Sequence, residues 1–171
     1  MIDLLLWIVL IVCVITDLRE RRIYNKVIYP ALVLTIIFHL ADSGLSGMLF
    51  SLQGFVIGMA LLLIPYLLGG IGAGDVKLLA LVGAMKGTMF VLIAAVYMAL
   101  IGGVLALGVL LFRRGVISRL KMMFYSLGGL RTGIKIPLTI AKDDYKATYP
   151  YGLAIAGGAA LSFMLSGVSL L

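Results

Sequence analysis

Two aspartates stand where a carboxylate is expensive. Asp75 closes the string Gly72-Ala73-Gly74-Asp75 between two long apolar runs, and Asp17 ends another apolar run. An ionisable side chain at membrane depth is costly unless a partner or a function compensates it. Two carboxyl groups held about 3 Å apart resist double ionisation and share a proton. The ionised member can take a proton from water while the protonated member donates to a carbonyl oxygen, which is acid–base hydrolysis of a peptide bond. Titration then belongs to the pair. Gly72 and Gly74 would shape such a site by letting an extended substrate strand approach the backbone. A bland reading stands beside this one for each acid. Asp17 caps a helix or pairs with the adjacent arginines, and Asp75 serves as the N-cap of a short helix.

The elements that must carry these acids follow from composition. Of 171 residues, 63% are hydrophobic and 12% charged, and mean hydropathy is +1.21. A soluble domain is nearer half apolar and a quarter charged. One small core cannot hold the excess, so lipid must cover it, and the continuous apolar runs favour helices over a barrel. The expected fold is an all-α polytopic membrane helix bundle forming a single domain over 1–171. Apolar runs end at Asp17 and span about Val27 to Leu40, Met48 to Leu68, Asp75 to Met85, Thr88 to Phe112 and Tyr149 to Leu171. The string Ala41-Asp42-Ser43-Gly44 reads as a polar turn. The first and fourth helices are short for a full crossing. The basic stretch Arg113 to Thr148 reads as interfacial.

Six helices with the N-terminus outside place thirteen of the fourteen Lys and Arg residues on the cytoplasmic side, with Lys86 alone opposite. That asymmetry supports the topology, and it puts Asp17 and Asp75 at one depth on one face. Residues Leu4 to Thr16 resemble a signal-peptide core. The cations follow that run rather than precede it, so a retained helix is expected. The net charge of +7 is read as membrane sidedness; no cluster resembles a nucleic-acid recognition motif. Cys13, the lone cysteine, is read as a packing residue. No phosphate loop, Ser-His pair or HExxH metal site occurs.

Among supporting residues, Lys77 would tune the acid pair, bind a substrate carboxylate or snorkel to the interface. Asn25 would bond the dyad or its loop, or cap a helix. Glu20 is expected to pair with neighbouring arginines, and His39 to lie at the outer interface. Asp42, Asp143 and Asp144 read as solvated loop acids. The pairs Gly102-Gly103 and Gly157-Gly158 suit close helix packing.

Asp17-Leu-Arg-Glu-Arg-Arg-Ile-Tyr-Asn25 resembles the first motif of type IV prepilin peptidases, in which an Asp at a helix end precedes a basic loop. Gly72-Ala-Gly-Asp75-Val-Lys77-Leu78 is similar to their second motif, Gly-x-Gly-Asp-x-Lys-Leu. Tyr149-Pro-Tyr-Gly-Leu-Ala154 is similar to the Pro-Tyr-Gly-Pro-Ala stretch opening their last helix. Tyr24 and Leu153 stand where proline is usual, which bears on local backbone geometry. The chain lacks the long cytoplasmic segment with paired Cys-x-x-Cys motifs. It therefore resembles the short form associated with tight-adherence (Flp) pili and archaeal preflagellin peptidases.

The resemblance implies an aspartyl endopeptidase with Asp17 and Asp75 as catalytic acids and no cofactor or metal. It implies a prepilin or pseudopilin substrate whose short basic leader is removed at the inner membrane's cytoplasmic face. The basic segment would also attract anionic lipid. Two rivals stand. A presenilin-like or signal-peptide-peptidase-like protease shares the Gly-x-Gly-Asp string, and a small transporter or assembly scaffold would use the acids to carry protons or a cation.

Overall fold

The computed structural model describes residues 1–112 and 151–168, and its secondary structure there is helical, with no strand. In chain order the helices are α1 (Ile2–Glu20), α2 (Asn25–Leu67), α3 (Ala73–Lys86), α4 (Thr88–Phe112) and α5 (Tyr151–Val168). They belong to a unit formed by Met1–Gly102 and Pro150–Leu171, except for the last turns of α4, which fall in the unit Gly103–Tyr149. The predicted interfacial segment, 113–148, lies outside the described residues.

α2 runs for 43 residues but breaks at Gly44, whose φ of 61° and ψ of −142° are not helical. Only glycine enters that region at little cost. The two arms of α2 meet α3 in opposite senses. On the first arm, Lys77 Nζ donates to Asn25 Oδ1 at 3.0 Å and His39 Nε2 lies 3.3 Å from the Met85 carbonyl oxygen, so this arm parallels α3. On the second arm, Gly54 faces Gly83 while Gly58 faces Leu79 and Ala80, so that arm is antiparallel. The chain therefore reverses at Gly44. The polar turn expected over Ala41–Gly44 narrows to one residue because Ala41, Asp42 and Ser43 remain helical. At Gly47 a Cβ would come 2.9 Å from the His39 carbonyl carbon, so the reversal leaves no room for a side chain.

α2 ends in a Schellman arrangement. Gly69 takes φ 76°, its N–H donates to the Tyr66 carbonyl at 2.9 Å, and the Gly70 N–H donates to the Pro65 carbonyl at 3.0 Å. These bonds satisfy carbonyls that a helix end otherwise leaves open.

α3 is the short central helix. Its 14 residues span about 21 Å, less than the roughly 30 Å of a bilayer's hydrocarbon. From Asp75 to Met85 every residue except Lys77 is buried, packed by α1, α2 and α5. α1 runs antiparallel to α3, with the Lys86–Asp3 ion pair (2.8 Å) at one end and Asp17 beside Asp75 at the other. At 19 residues α1 is longer than its apolar run implied, about 28 Å. The extra length arises because the helix continues through Leu18, Arg19 and Glu20 to Arg21, which closes it in the left-handed region.

α5 is antiparallel to α1, through an edge-on Trp7–Phe163 ring contact at 5.8 Å. It is also antiparallel to α4, where a Cβ at Gly158 would come 2.7 Å from the Met98 nitrogen. The Gly157 and Gly158 pair thus serves close packing. At Gly102 a Cβ would come 3.8 Å from Ala154 Cβ, while at Gly103 none of the described residues lies within 4 Å of one. Many large apolar side chains face outward, among them Ile8, Ile11, Val33, Ile37, Val96 and Leu100. Two helical segments, Asn25–Leu67 and Thr88–Gly108, are long and apolar enough to cross a membrane.

Candidate active site

The antiparallel packing gathers the last turn of α1, the start of α2, and the first turns of α3 and α5 at one end of the unit. Asp17 belongs to the last turn of α1 and is 5% exposed. Its Oδ2 accepts the Gly152 N–H at 2.9 Å, a bond between residues 135 positions apart. Its own carbonyl accepts the Arg21 N–H at 2.9 Å. Asp17 is therefore not an N-cap, and its side chain is engaged by α5.

Asp75 is 8% exposed and is the third residue of α3, not its cap. Gly72 holds the cap position with extended backbone. Asp75 Oδ2 accepts the Gly72 N–H at 3.2 Å. This is the reciprocal bond that an acid makes at the third position of a helix. Asp75 Oδ1 is buried and, among the described residues, meets no hydrogen-bond partner. The two carboxyl groups lie close enough for their charges to interact. Cys13, one turn before Asp17, is buried and free.

The supporting residues have specific positions. A Cβ at Gly72 would sit 3.1 Å from Asp75 Oδ2, and one at Gly74 would sit 2.9 Å from Ile23 Cβ. Gly74 lies inside the helix, so its missing side chain lets α3 press against the α1–α2 loop. Lys77 Nζ donates to Asn25 Oδ1 at 3.0 Å and to the Tyr29 hydroxyl at 3.4 Å, and it lies 5.5 Å from the Tyr29 ring centre. Asn25 thus bonds Lys77 and is not a cap; Tyr24 takes the cap position of α2. Glu20 accepts the Tyr24 hydroxyl where an arginine partner was expected. That bond holds the Tyr24 phenol above its ordinary pKa. His39 sits at the opposite end, against Met85 and the Phe50 ring. Among the described residues no three His, Cys, Asp or Glu side chains cluster in a way that could hold a metal ion.

The residue that sequence reasoning left without a role is Gly152. Its signal was present in the string Pro150-Tyr151-Gly152, but nothing in that string names Asp17 as its partner. A Cβ there would come 2.8 Å from Asp17 Oδ2 and 3.1 Å from Asp17 Cβ.

Neither the curated proteins nor the solved structures compared with this chain gave a match. The model of the type IV leader peptidase family matches residues 4–107, a stretch that carries both aspartates and the Gly72–Asp75 string. On that match, which covers more than half its length, the chain belongs to the type IV leader peptidase family.

Proposed function

We propose that the protein is an integral membrane aspartyl endopeptidase that removes the short basic leader from a prepilin or pseudopilin at the cytoplasmic face of the inner membrane. The observation that carries this reading is that Asp17 and Asp75, from helices far apart in sequence, are both buried at the same end of the antiparallel α1–α3 packing. Such a pair shares one proton. The ionised member takes a proton from the attacking water, the protonated member donates to the scissile carbonyl oxygen, and the resulting diol collapses as the leaving amine is protonated. Asp75 Oδ1, without a protein partner among the described residues, is an oxygen available for that exchange.

With α2 divided into two arms by the break at Gly44, this reading takes α1, both arms of α2, α3, α4 and α5 as six crossings. Arg19, Arg21, Arg22, Lys26 and Lys77 then share the dyad's end of the bundle, and Lys86 lies at the other. This charge asymmetry supports a cytoplasmic active site. The apolar part of a prepilin would lie in the bilayer beside the bundle, which favours lateral entry.

Co-expression with a candidate prepilin, scored by the gel shift of leader removal, tests the reading. Asp17→Asn and Asp75→Asn are each expected to abolish processing while the protein still accumulates in the membrane. Retained processing in either variant would remove the dyad from the mechanism and favour a transporter or scaffold role.

A further inference from the structure

We infer that Gly152 is a positioning residue for Asp17, its N–H holding the carboxyl group and its missing side chain making the space that group occupies. The inference rests on the reading of Asp17 as a reacting acid. Asp17 sits in the last turn of α1, with Arg19 in the same turn and Arg21 and Arg22 just beyond it, and it feels the charge of Arg21. A carboxylate in that setting would turn outward to a guanidinium unless something held it inside. The buried 2.9 Å bond from the Gly152 N–H supplies the hold.

The donor is itself fixed. Ala154, Ile155 and Ala159 are buried, and Gly158 seats α5 directly against the α4 backbone. Gly152 lies in the first turn of α5, where backbone N–H groups have no partner within the helix and can serve a carboxylate at no cost to the helix. With Oδ2 engaged by this bond, the Asp17 carboxyl group is held in one orientation inside the unit. Even a methyl group at residue 152 would meet Asp17 Oδ2, Cβ and Cγ at 2.8, 3.1 and 3.2 Å. The last helix of the chain thereby sets the geometry of an acid on the first.

Replacing Gly152 by glycolic acid deletes this N–H through an amide-to-ester exchange and adds no side-chain atom. The exchange is expected to lower kcat on a prepilin substrate by about 10–100-fold, the loss of one charge-assisted hydrogen bond. KM should change by less than about twofold and the melting temperature should fall by no more than about 10 °C. Gly152→Ala keeps the N–H but displaces the carboxyl group, so it should lose kcat in the same way, while Gly103→Ala retains wild-type turnover.

A readout independent of turnover is the infrared carboxyl band of 13C-aspartate-labelled protein, assigned to Asp17 by its loss in Asp17→Asn. The ester should shift that band. An unshifted band, an unchanged kcat, or kcat, KM and melting temperature falling together would each overturn the inference. A wild-type protein that cleaves no prepilin, yet shows the shifted band in the ester, would instead remove the leader-peptidase reading and leave the Gly152–Asp17 contact standing.

Discussion

Gly54→Ala is expected to be among the most destabilising single-methyl additions in this chain. The second arm of α2 and α3 touch backbone to backbone at Gly54 and Gly83. A Cβ at Gly54 would lie 2.6 Å from the Gly83 carbonyl carbon, and one at Gly83 would lie 2.7 Å from that of Gly54. Ordinary contact starts near 3.4 Å, and the carbonyl oxygen is closer to the added methyl group than the carbon is, so the helices must move apart by at least about 0.8 Å, and a gap of that size forfeits a quarter to a half of each dispersion contact it opens. Overpacking typically costs about 1–3 kcal/mol. Here the obstacle is backbone, which cannot rotate away, so a loss of about 3 kcal/mol or more is expected. Gly83→Ala should match it. The double variant should cost well under the sum, because helices already separated by the first methyl group accept the second.

The control is Gly103→Ala, whose methyl group meets none of the described residues within 4 Å. Removing a helical glycine there should stabilise by up to about 1 kcal/mol. Thermal unfolding in one detergent, monitored by far-UV circular dichroism, compares the four proteins. If Gly54→Ala melts within the range of Gly103→Ala, or if the double variant is fully additive, the backbone contact between α2 and α3 is not what holds α3.

Three further outcomes are expected. The pH profile of kcat should be bell-shaped, because activity is lost at low pH when both acids of the pair are protonated and at high pH when both are ionised; a flat profile measured across the stable range of the protein would contradict the shared proton. Lys77→Met and Asn25→Ala should each weaken processing without abolishing it, and a double-mutant cycle should show coupling of about 0.5–3 kcal/mol between residues that touch; independent effects would mean that their 3.0 Å bond does not act in solution. Asp3→Asn should change stability by less than about 1 kcal/mol, since the Lys86–Asp3 pair is partly exposed and such pairs contribute little; urea denaturation of the detergent-solubilised protein checks it.

Hydropathy located all the described helices, and the cations placed Asp17 and Asp75 at one end because charge marks sidedness without any knowledge of packing. What sequence could not supply was reach between helices. Asn25 has the composition of a cap, yet a lysine on α3 takes its oxygen while Tyr24 begins the helix. Asp75 also has cap chemistry, but Gly72 occupies that position two residues before Gly74. Glu20 is flanked by arginines, and a tyrosine one turn away reaches it first. The Ala41–Gly44 string is polar enough to be a loop, but an antiparallel reversal needs only one residue with positive φ, so the helix persists up to Gly44. Gly54 and Gly83 carry no individual signal at all, because two glycines in apolar helices are ordinary and their meeting depends on the rotation of both helices.

The shortness of α3 has a consequence for how the protein is made. In a chain that crosses the bilayer as proposed, 14 residues fall short of what a translocon releases into lipid as an independent span. Both arms of α2 leave the ribosome before α3, so the surface that α3 packs against is synthesised first. Biogenesis would then depend on order. Moving α3 ahead of α2 by circular permutation would strand it, even though the finished contacts would be the same.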